Sequence, residues 1–534
     1  MKPVVVIGNG PVGQTAALLL ARWGLPTVVL DERHVRDLVG SKSICQHRDV
    51  LDIWDSVGAG ARIAAEGVTW TTSRTFHRGT ELFNHTFVDA GSSPFPPFVN
   101  ISQSRTEEIL DEYIAAQLLI DVRWGKRVVG LRQDADGVTV TCEDGTEVEA
   151  SFVVVCAGAR SDELRALLGV RFEGHSFDDR FLICDIRTEL PEQATERHFH
   201  FDPEWNPGRQ VLMHPSPDST FRIDWQVPPD FDLDDEMRSG ALDRRITAVI
   251  GDRPYEILWQ SVYRFHARCV DRMRVGRVLL AGDAAHLVAP FGARGLNSGV
   301  PDAENAAWKI AFVARGWAPP ELLESYHDER HAAARENLAV TSATMDFLVP
   351  RTAEQAAYRR DVLERARHDP AARALVNSGR LVEPFWYTDS PLTTPSPSRP
   401  VGGRPASGAL QDPGPGVLAP DAPWDVSLRF RVLAREGFLL LLTPGADVSA
   451  ARTAAERICA PVRVVELVDG DPTGVLAGAL AVRPGEVWVV RPDAYVAAVL
   501  EQPTSDTIEA ALRRALAGAT DREESEHGVL PTVR

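Results

Sequence analysis

The stretch VVVIGNGPVGQTAALLLARWGLPTVVLDER, residues 4–33, restricts the fold more than any other part of the chain. Val4 to Ile7 is an apolar run without alternation, the pattern of a parallel strand buried on both faces. Glycines follow, then a helical pattern that stops at Gly24, then a second apolar run ending in Asp31. Strand, glycine turn, helix and strand within about thirty residues make a βαβ unit, so a parallel sheet with helical crossovers is expected. The glycines Gly8, Gly10 and Gly13 have separate tasks: Gly8 permits the turn, Gly10 lets a pyrophosphate approach the backbone, and Gly13 lets helix lie close on strand. Pro11 and Val12 open the helix, whose free amides and positive dipole end favour an anion. Asp31, with Glu32 beside it, closes the second strand 18 residues after Gly13, where a carboxylate accepts ribose hydroxyl hydrogens. The unit is read as a dinucleotide site.

At 534 residues the length suits roughly three or four domains. Lysine and arginine number 57 against 75 acids, a net charge of −18 with no basic run, so nucleic acid and anionic membrane surfaces are not expected partners. The N-terminus lacks a signal-like apolar core and no window approaches about eighteen apolar residues, which predicts a soluble cytoplasmic protein. The six cysteines (45, 142, 156, 184, 269, 459) show no CxxC or metal spacing and read as small buried apolar residues. No metal site is expected.

Residues 172–270 carry alternating runs, RHFHFD, RQVLMH, FRIDWQV and EILWQSVYRF, between Pro, Asp and Gly turns. They predict an antiparallel sheet inserted into the α/β framework. The framework is assigned to 1–171 and 271–345, with 66–100 contributing to the substrate region. Residues 346–400 read as a helical and linker segment. The Pro-, Gly- and Ser-rich stretch 388–424 is a linker or an irregular connection. A small α/β unit occupies 401–520, and 521–534 is a tail.

A second glycine site decides between cofactors. LLAGDAAHLVAPFGARGLNSGVPDAENAAWK sets Gly282 and Asp283 at a strand end, then a loop with Pro290, Gly292, Gly295, Leu296 and Asn297, then a helix with Asp302 in its first turn. A second carboxylate beside a second amide-rich helix start suits the remainder of one extended cofactor. On these motifs the chain resembles the FAD-dependent aromatic hydroxylases, the class A flavoprotein monooxygenases, over essentially its whole length. The resemblance implies that Gly282 and Asp283 contact the ribityl chain and that Pro290 to Asn297 lies along the isoalloxazine ring. It also implies that Arg48, in GSKSICQHRDVLDIWDSVG, binds near the pyrophosphate and that Gln103, in NISQSRTEEIL, touches FAD. Gly158, in FVVVCAGARSDELR, keeps the family's third nucleotide-related motif. There Ala157 replaces the family's acid, a residue tied to both FAD and NAD(P)H use. The C-terminal unit resembles the thioredoxin-like domain of the phenol hydroxylase and 3-(3-hydroxyphenyl)propionate hydroxylase branch, without CxxC. The implied fold is α/β: a GR2-type Rossmann-like FAD-binding domain, an inserted β-sheet substrate domain and a C-terminal thioredoxin-like domain.

Candidates for substrate contact or catalysis are His47, Arg222, Tyr263 and Pro290, with Gln226, Arg264 and His266 as further polar residues on the sheet. Packing and surface ion pairs are the competing role for each. Alternation puts Arg222 and Asp224 on one face and Ile223 and Trp225 on the other. His286 is expected to support the flavin loop, and Trp54 and Trp308 to be core. The family's chemistry, with NAD(P)H and O2 as co-substrates and a flavin C4a-hydroperoxide, implies hydroxylation of a phenolic or polycyclic aromatic substrate, and the family admits a homodimer. Epoxidation, Baeyer–Villiger or oxidase chemistry, or a non-catalytic flavin-binding role, are the alternatives. A phenol reacts better as its phenolate, and no residue in the sequence identifies itself as the base.

Overall fold

Val4–Ile7 lies inside a six-stranded sheet ordered Arg274–Val275, Val278–Leu280, Phe152–Val155, Val4–Ile7, Thr27–Leu30, Ile120–Arg123. All pairings are parallel except the first. The computed structural model describes residues 1–37, 43–87, 93–403, 412–425 and 428–518. Val4, Val5, Val6 and Val153 to Val155 are fully buried, as strands covered on both faces must be. The helices Pro11–Arg22 and Gly295–Ala314 lie together on this sheet, so both glycine loops open at its C-terminal edge. A three-stranded meander, Val128–Gln133, Val138–Cys142 and Glu147–Ala150, precedes Phe152–Val155.

Beyond that edge stands an eight-stranded sheet. Its order is His286–Leu287, Glu256–Val270, Phe172–Arg187, Thr220–Val227, Gln210–Ser216, Glu196–Phe201, Thr72–His77, Thr80–Thr86. The strands within 172–270 pair antiparallel, and one parallel pairing joins Glu196–Phe201 to Thr72–His77. Alternation separates its faces as expected. Leu182, Cys184, Ile223 and Trp225 pack on the helix Ala241–Ile250, while Phe181, Phe199 and Leu212 face Phe291 and the helices Glu324–Leu348 and Ala353–Ala366.

The C-terminal region folds as a separate domain around a four-stranded mixed sheet, Val462–Glu466, Phe438–Leu442, Glu486–Val490, Val496–Glu501, with helices Val448–Glu456 and Ser505–Ala515. The parallel first pair, the two antiparallel additions and the closing helix are the thioredoxin-like order. The Pro-rich stretch before it is a connecting segment tied to the body. Leu392 and Val417 within it are buried, as is Tyr387 just before it, 4.3 Å from Tyr495 between ring centroids. The expected tail at 521–534 lies outside the described residues. Trp54 and Trp308 are core, as their apolar helix faces require. Among the described residues no helix is long and apolar enough to cross a membrane.

Candidate functional site

One cavity of about 800 Å³ runs from the glycine loops of the parallel sheet to the inner face of the eight-stranded sheet. At the first loop, a Cβ on Gly13 would fall 1.9 Å from the Gly8 carbonyl oxygen, so Gly13 is needed for helix to approach strand. A Cβ on Gly10 would meet nothing within 4 Å. The space over Gly10 therefore belongs to the cavity. The helix Pro11–Arg22 has no side-chain cap, which leaves its first amides directed at the opening. Asp31 accepts from the Asn9 amide at 2.7 Å and from the Arg33 amide and guanidinium at 2.8 to 3.0 Å. Burial works against its charge, but these donors hold the carboxyl below its ordinary value.

The second loop meets the same cavity from the other side. Gly282 has φ +58, and its amide donates to Asp302 Oδ2 at 2.9 Å. Asp302 is fully buried and also accepts from His286 Nε2 at 2.7 Å and Arg330 Nε at 2.7 Å. Burial again opposes ionisation, and Arg330 and His286 together keep Asp302 below the usual carboxylate range. His286 thus braces the loop, and its side chain is spent there. The helix Gly295–Ala314 also lacks a side-chain cap.

Gly8, Gly10, Pro11, Val12, Asp31, Glu32, Gln103, Gly158, Gly282, Asp283, Pro290, Gly295 and Leu296 all line the cavity, as does Ala157. Gly13 sits behind the lining. Arg48 does not line it: it opens the helix Arg48–Asp55, its amide bonded to the Pro97 carbonyl. Asn297 is also outside, because its amide group bridges the chain, accepting from the His47 amide and donating to the Cys45 and Ala293 carbonyls. Two uncapped helix starts, an open glycine cradle and carboxylates at both ends fit a long dinucleotide with a pyrophosphate near Gly10. FAD meets that description.

The substrate candidates divide. Arg222 lines the cavity and is paired with Asp185 through two bonds of 2.8 Å. His47 does not reach the cavity: its Nδ1 accepts from the Asp49 amide and lies 3.2 Å from the Asp49 carboxylate, capping a helix. Tyr263 is also off the lining, beside Trp259 on the outer stretch of Glu256–Val270. Gln226 is held by Asp179 and by the Gln210 amide, Arg264 by the Phe177 carbonyl, and His266 by Ser176. The sequence reading missed Arg197 and His214, and it read Asp224 only for its face. All three line the cavity with the apolar walls Trp70, Phe181, Leu212 and Phe265. Alternation in RHFHFD and RQVLMH was the available signal.

Residues 1–341 match the family model described as FAD binding domain. Rifampicin monooxygenase from Streptomyces venezuelae is 33% identical over 369 residues, 67% of this chain and 74% of that one. A 3-(3-hydroxy-phenyl)propionate/3-hydroxycinnamic acid hydroxylase from Mycolicibacterium gilvum is 28% identical over 561 aligned positions, covering 99% of this chain and 96% of that one. Among solved structures, the flavin-dependent monooxygenase PieE, in complex with FAD and substrate, superposes with a TM-score of 0.83 at 23% identity, over 97% of this chain and 99% of the other. That last likeness is one of fold.

Proposed function

The chain belongs to the FAD-binding domain family of flavoprotein monooxygenases, and from that membership we propose that it hydroxylates a phenolic or polycyclic aromatic substrate using NAD(P)H and O2. One observation carries the reading: a single cavity joins the dinucleotide cradle to a pocket walled by Trp70, Phe181, Phe265 and Phe291. A flat aromatic ring set against those walls lies next to the flavin end without crossing solvent. Bound FAD would supply the redox chemistry, taking electrons from NAD(P)H and activating O2. The chain supplies placement. Its glycine loops fix the cofactor from two sides, and Asp31 and Asp283 receive hydroxyl hydrogens. The aromatic walls keep water from the reacting ring.

We also place the chain in the branch that includes the 3-(3-hydroxyphenyl)propionate hydroxylases, because that match runs through the thioredoxin-like domain as well. The cytoplasm, where NAD(P)H is held, is the proposed location.

The test uses the FAD-loaded chain with a panel of simple and polycyclic phenols. NADH and NADPH consumption should rise with at least one of them, and its product should gain one oxygen from 18O2. Stimulated oxidation without labelled product would instead identify an oxidase. A second reading, flavin binding without turnover, is favoured by Ala157 at the position of the family's acid. Absence of stimulation across the panel decides for it.

A further inference from the structure

Among the described residues, the substrate end of the cavity is walled by apolar side chains and by charged ones that three neighbouring strands turn inward. Arg197 comes from Glu196–Phe201, His214 from Gln210–Ser216, and Arg222 and Asp224 from Thr220–Val227. The register sets them side by side, with His214 opposite Arg222, Leu212 opposite Asp224, and Asp185 of the next strand opposite Arg222. Arg222 and Asp185 neutralise each other through their paired bonds. Among the described residues Asp224 has no such partner. Its Oδ1 is buried with no hydrogen-bond donor among the described residues, and its Oδ2 lies 3.7 Å from His214 Nε2, too far for a bond. Arg197 is 4% exposed, and its single hydrogen bond among the described residues is a long one, 3.5 Å to Ser73 Oγ. A buried guanidinium and a buried carboxylate, both under-satisfied and both on residues that line one cavity, are expensive unless a ligand completes them.

We propose that Asp224 is the base that takes the phenolic proton of the substrate, and that Arg197 holds the oxyanion so formed. The assignment rests on the aromatic monooxygenase reading and names the proton acceptor that reading requires. The substrate O–H bond breaks and an O–H bond to the Asp224 carboxylate forms. The electron pair stays on the phenolic oxygen, now paired with Arg197, and no electron changes centre. Before transfer the cavity holds one positive guanidinium and one negative carboxylate; afterwards it holds the guanidinium and a phenolate. Charge moves between two oxygens without net charge being created in a low-dielectric space, which keeps the step inexpensive. The resulting phenolate enriches the ring that must receive oxygen.

The surrounding groups support this assignment. Burial, tempered by Arg222 and Arg197 and reinforced by Asp185, pushes Asp224 up to about 7, into the range of a useful base. Burial, with Arg197 and Arg222 nearby, holds His214 neutral, so it does not compete as a cation. Cys45, across the cavity, is pushed by burial up to about 12 and stays a thiol. Tyr263 is raised by burial and stays a neutral phenol.

The test uses 7-hydroxycoumarin, whose phenol and phenolate absorb at different wavelengths, with the FAD-loaded chain at about pH 7.5, where Asp224 is mostly ionised and the free probe is still mostly neutral. The wild type should bind it as the phenolate. Asp224→Asn should bind it as the neutral phenol and lose on the order of 10²-fold or more in turnover with any hydroxylated phenol. Asp224→Glu should restore the phenolate signal, and Arg197→Gln should weaken binding at least about tenfold. FAD content, read from flavin absorbance, checks that each variant is folded. The proposal is overturned by absence of probe binding, by a neutral probe on the wild type, or by an undiminished phenolate signal in Asp224→Asn. It is also overturned if 1-naphthoate binds in an Arg197-dependent, Asp224-independent way while phenols do not, which assigns the site to a carboxylate. A chain that binds the phenolate but inserts no oxygen fails as a monooxygenase and keeps this assignment. A chain that hydroxylates with an unchanged Asp224→Asn signal fails here alone.

Discussion

Replacing Asp224 with asparagine should change how stability depends on pH, independently of any substrate. In the folded chain burial raises this carboxyl from 3.8 to about 7. The folded state therefore binds the proton more tightly than the unfolded state. Stability from this group is fully present below about 4, declines as pH rises toward about 7, and is flat above that. The whole gap corresponds to roughly 4 kcal/mol, of which roughly 3 kcal/mol falls between about pH 5 and pH 8. Asparagine does not titrate, so the variant should lack that decline. Because the chain has several domains, a single global transition is the wrong measure. Native-state hydrogen exchange at Gln210–Ser216 and Thr220–Val227 reads the sheet directly. The wild type should lose protection there between about pH 5 and pH 8 relative to the variant by up to roughly 3 kcal/mol, after correction for intrinsic exchange. If the two proteins follow the same pH dependence to within about 0.5 kcal/mol, Asp224 is not a desolvated carboxyl, and its role as a tuned base falls with it.

Gly10→Ala and Gly13→Ala should separate ligand contact from backbone contact. The first meets open space, so folding should change by less than about 1 kcal/mol while FAD affinity falls at least tenfold; the second drives into the Gly8 carbonyl and should cost about 1–3 kcal/mol of local stability, both read by native-state hydrogen exchange at Val4–Ile7 and by FAD titration. Asp302→Ala leaves Arg330 and His286 buried without their carboxylate and should cost about 3–5 kcal/mol of local stability at neutral pH, read by native-state hydrogen exchange at Gly295–Ala314. Since the folded Asp302 is held below its ordinary 3.8, its contribution in the wild type should be complete above that value and be lost as pH falls through the lower folded one. Ala157→Asp returns the family's acid at a position that lines the cavity, and should raise the rate of flavin reduction by NAD(P)H at least tenfold in stopped flow. An unchanged rate shows that this chain reduces its flavin without that acid.

Much of the cofactor end was legible because its signals are local. Gly8, Gly10, Gly13 and Asp31 fall within one βαβ unit, and their spacing alone brings them to one edge. The substrate end depends on register. Arg197, His214 and Asp224 lie on three strands, and it takes the pairing of His198 with Met213 as well as that of His214 with Arg222 to make them neighbours. Alternation identified the shared face of Arg222 and Asp224, but a period of two cannot say which partner strand follows, or which polar side chain already has a mate. Arg222 drew notice by its charge, yet Asp185 takes that charge up. His47 drew notice by standing next to Arg48, yet the strand ends there and the imidazole caps the helix that begins. The Pro-rich stretch looked like a linker by composition. Composition does not reveal that Ser390 finds Glu329 and Arg399 finds Glu486.

The C-terminal domain fits the same division between local signal and tertiary contact. It lacks a CxxC pair, and its role shows in what it holds. Arg431 reaches Asp49 at 2.7 Å, and Arg435 joins Asp52 at 2.8 Å to Glu304 at 2.7 Å. Arg491 pairs with Glu329, which also receives Lys309, while Asp493 accepts from Trp308 and Asn305. Every one of these partners sits on Arg48–Asp55, Gly295–Ala314 or Glu324–Leu348. Those are the helix that follows His47, the helix that begins at the second glycine loop, and the helix that presents Arg330 to Asp302. Buried ion pairs add little net stability, because desolvation offsets attraction, but a mispaired one is costly. A domain docked through them is fixed in one orientation. It thereby fixes the three helices that position the flavin loop, which is work a thioredoxin-like fold can do without any thiol chemistry.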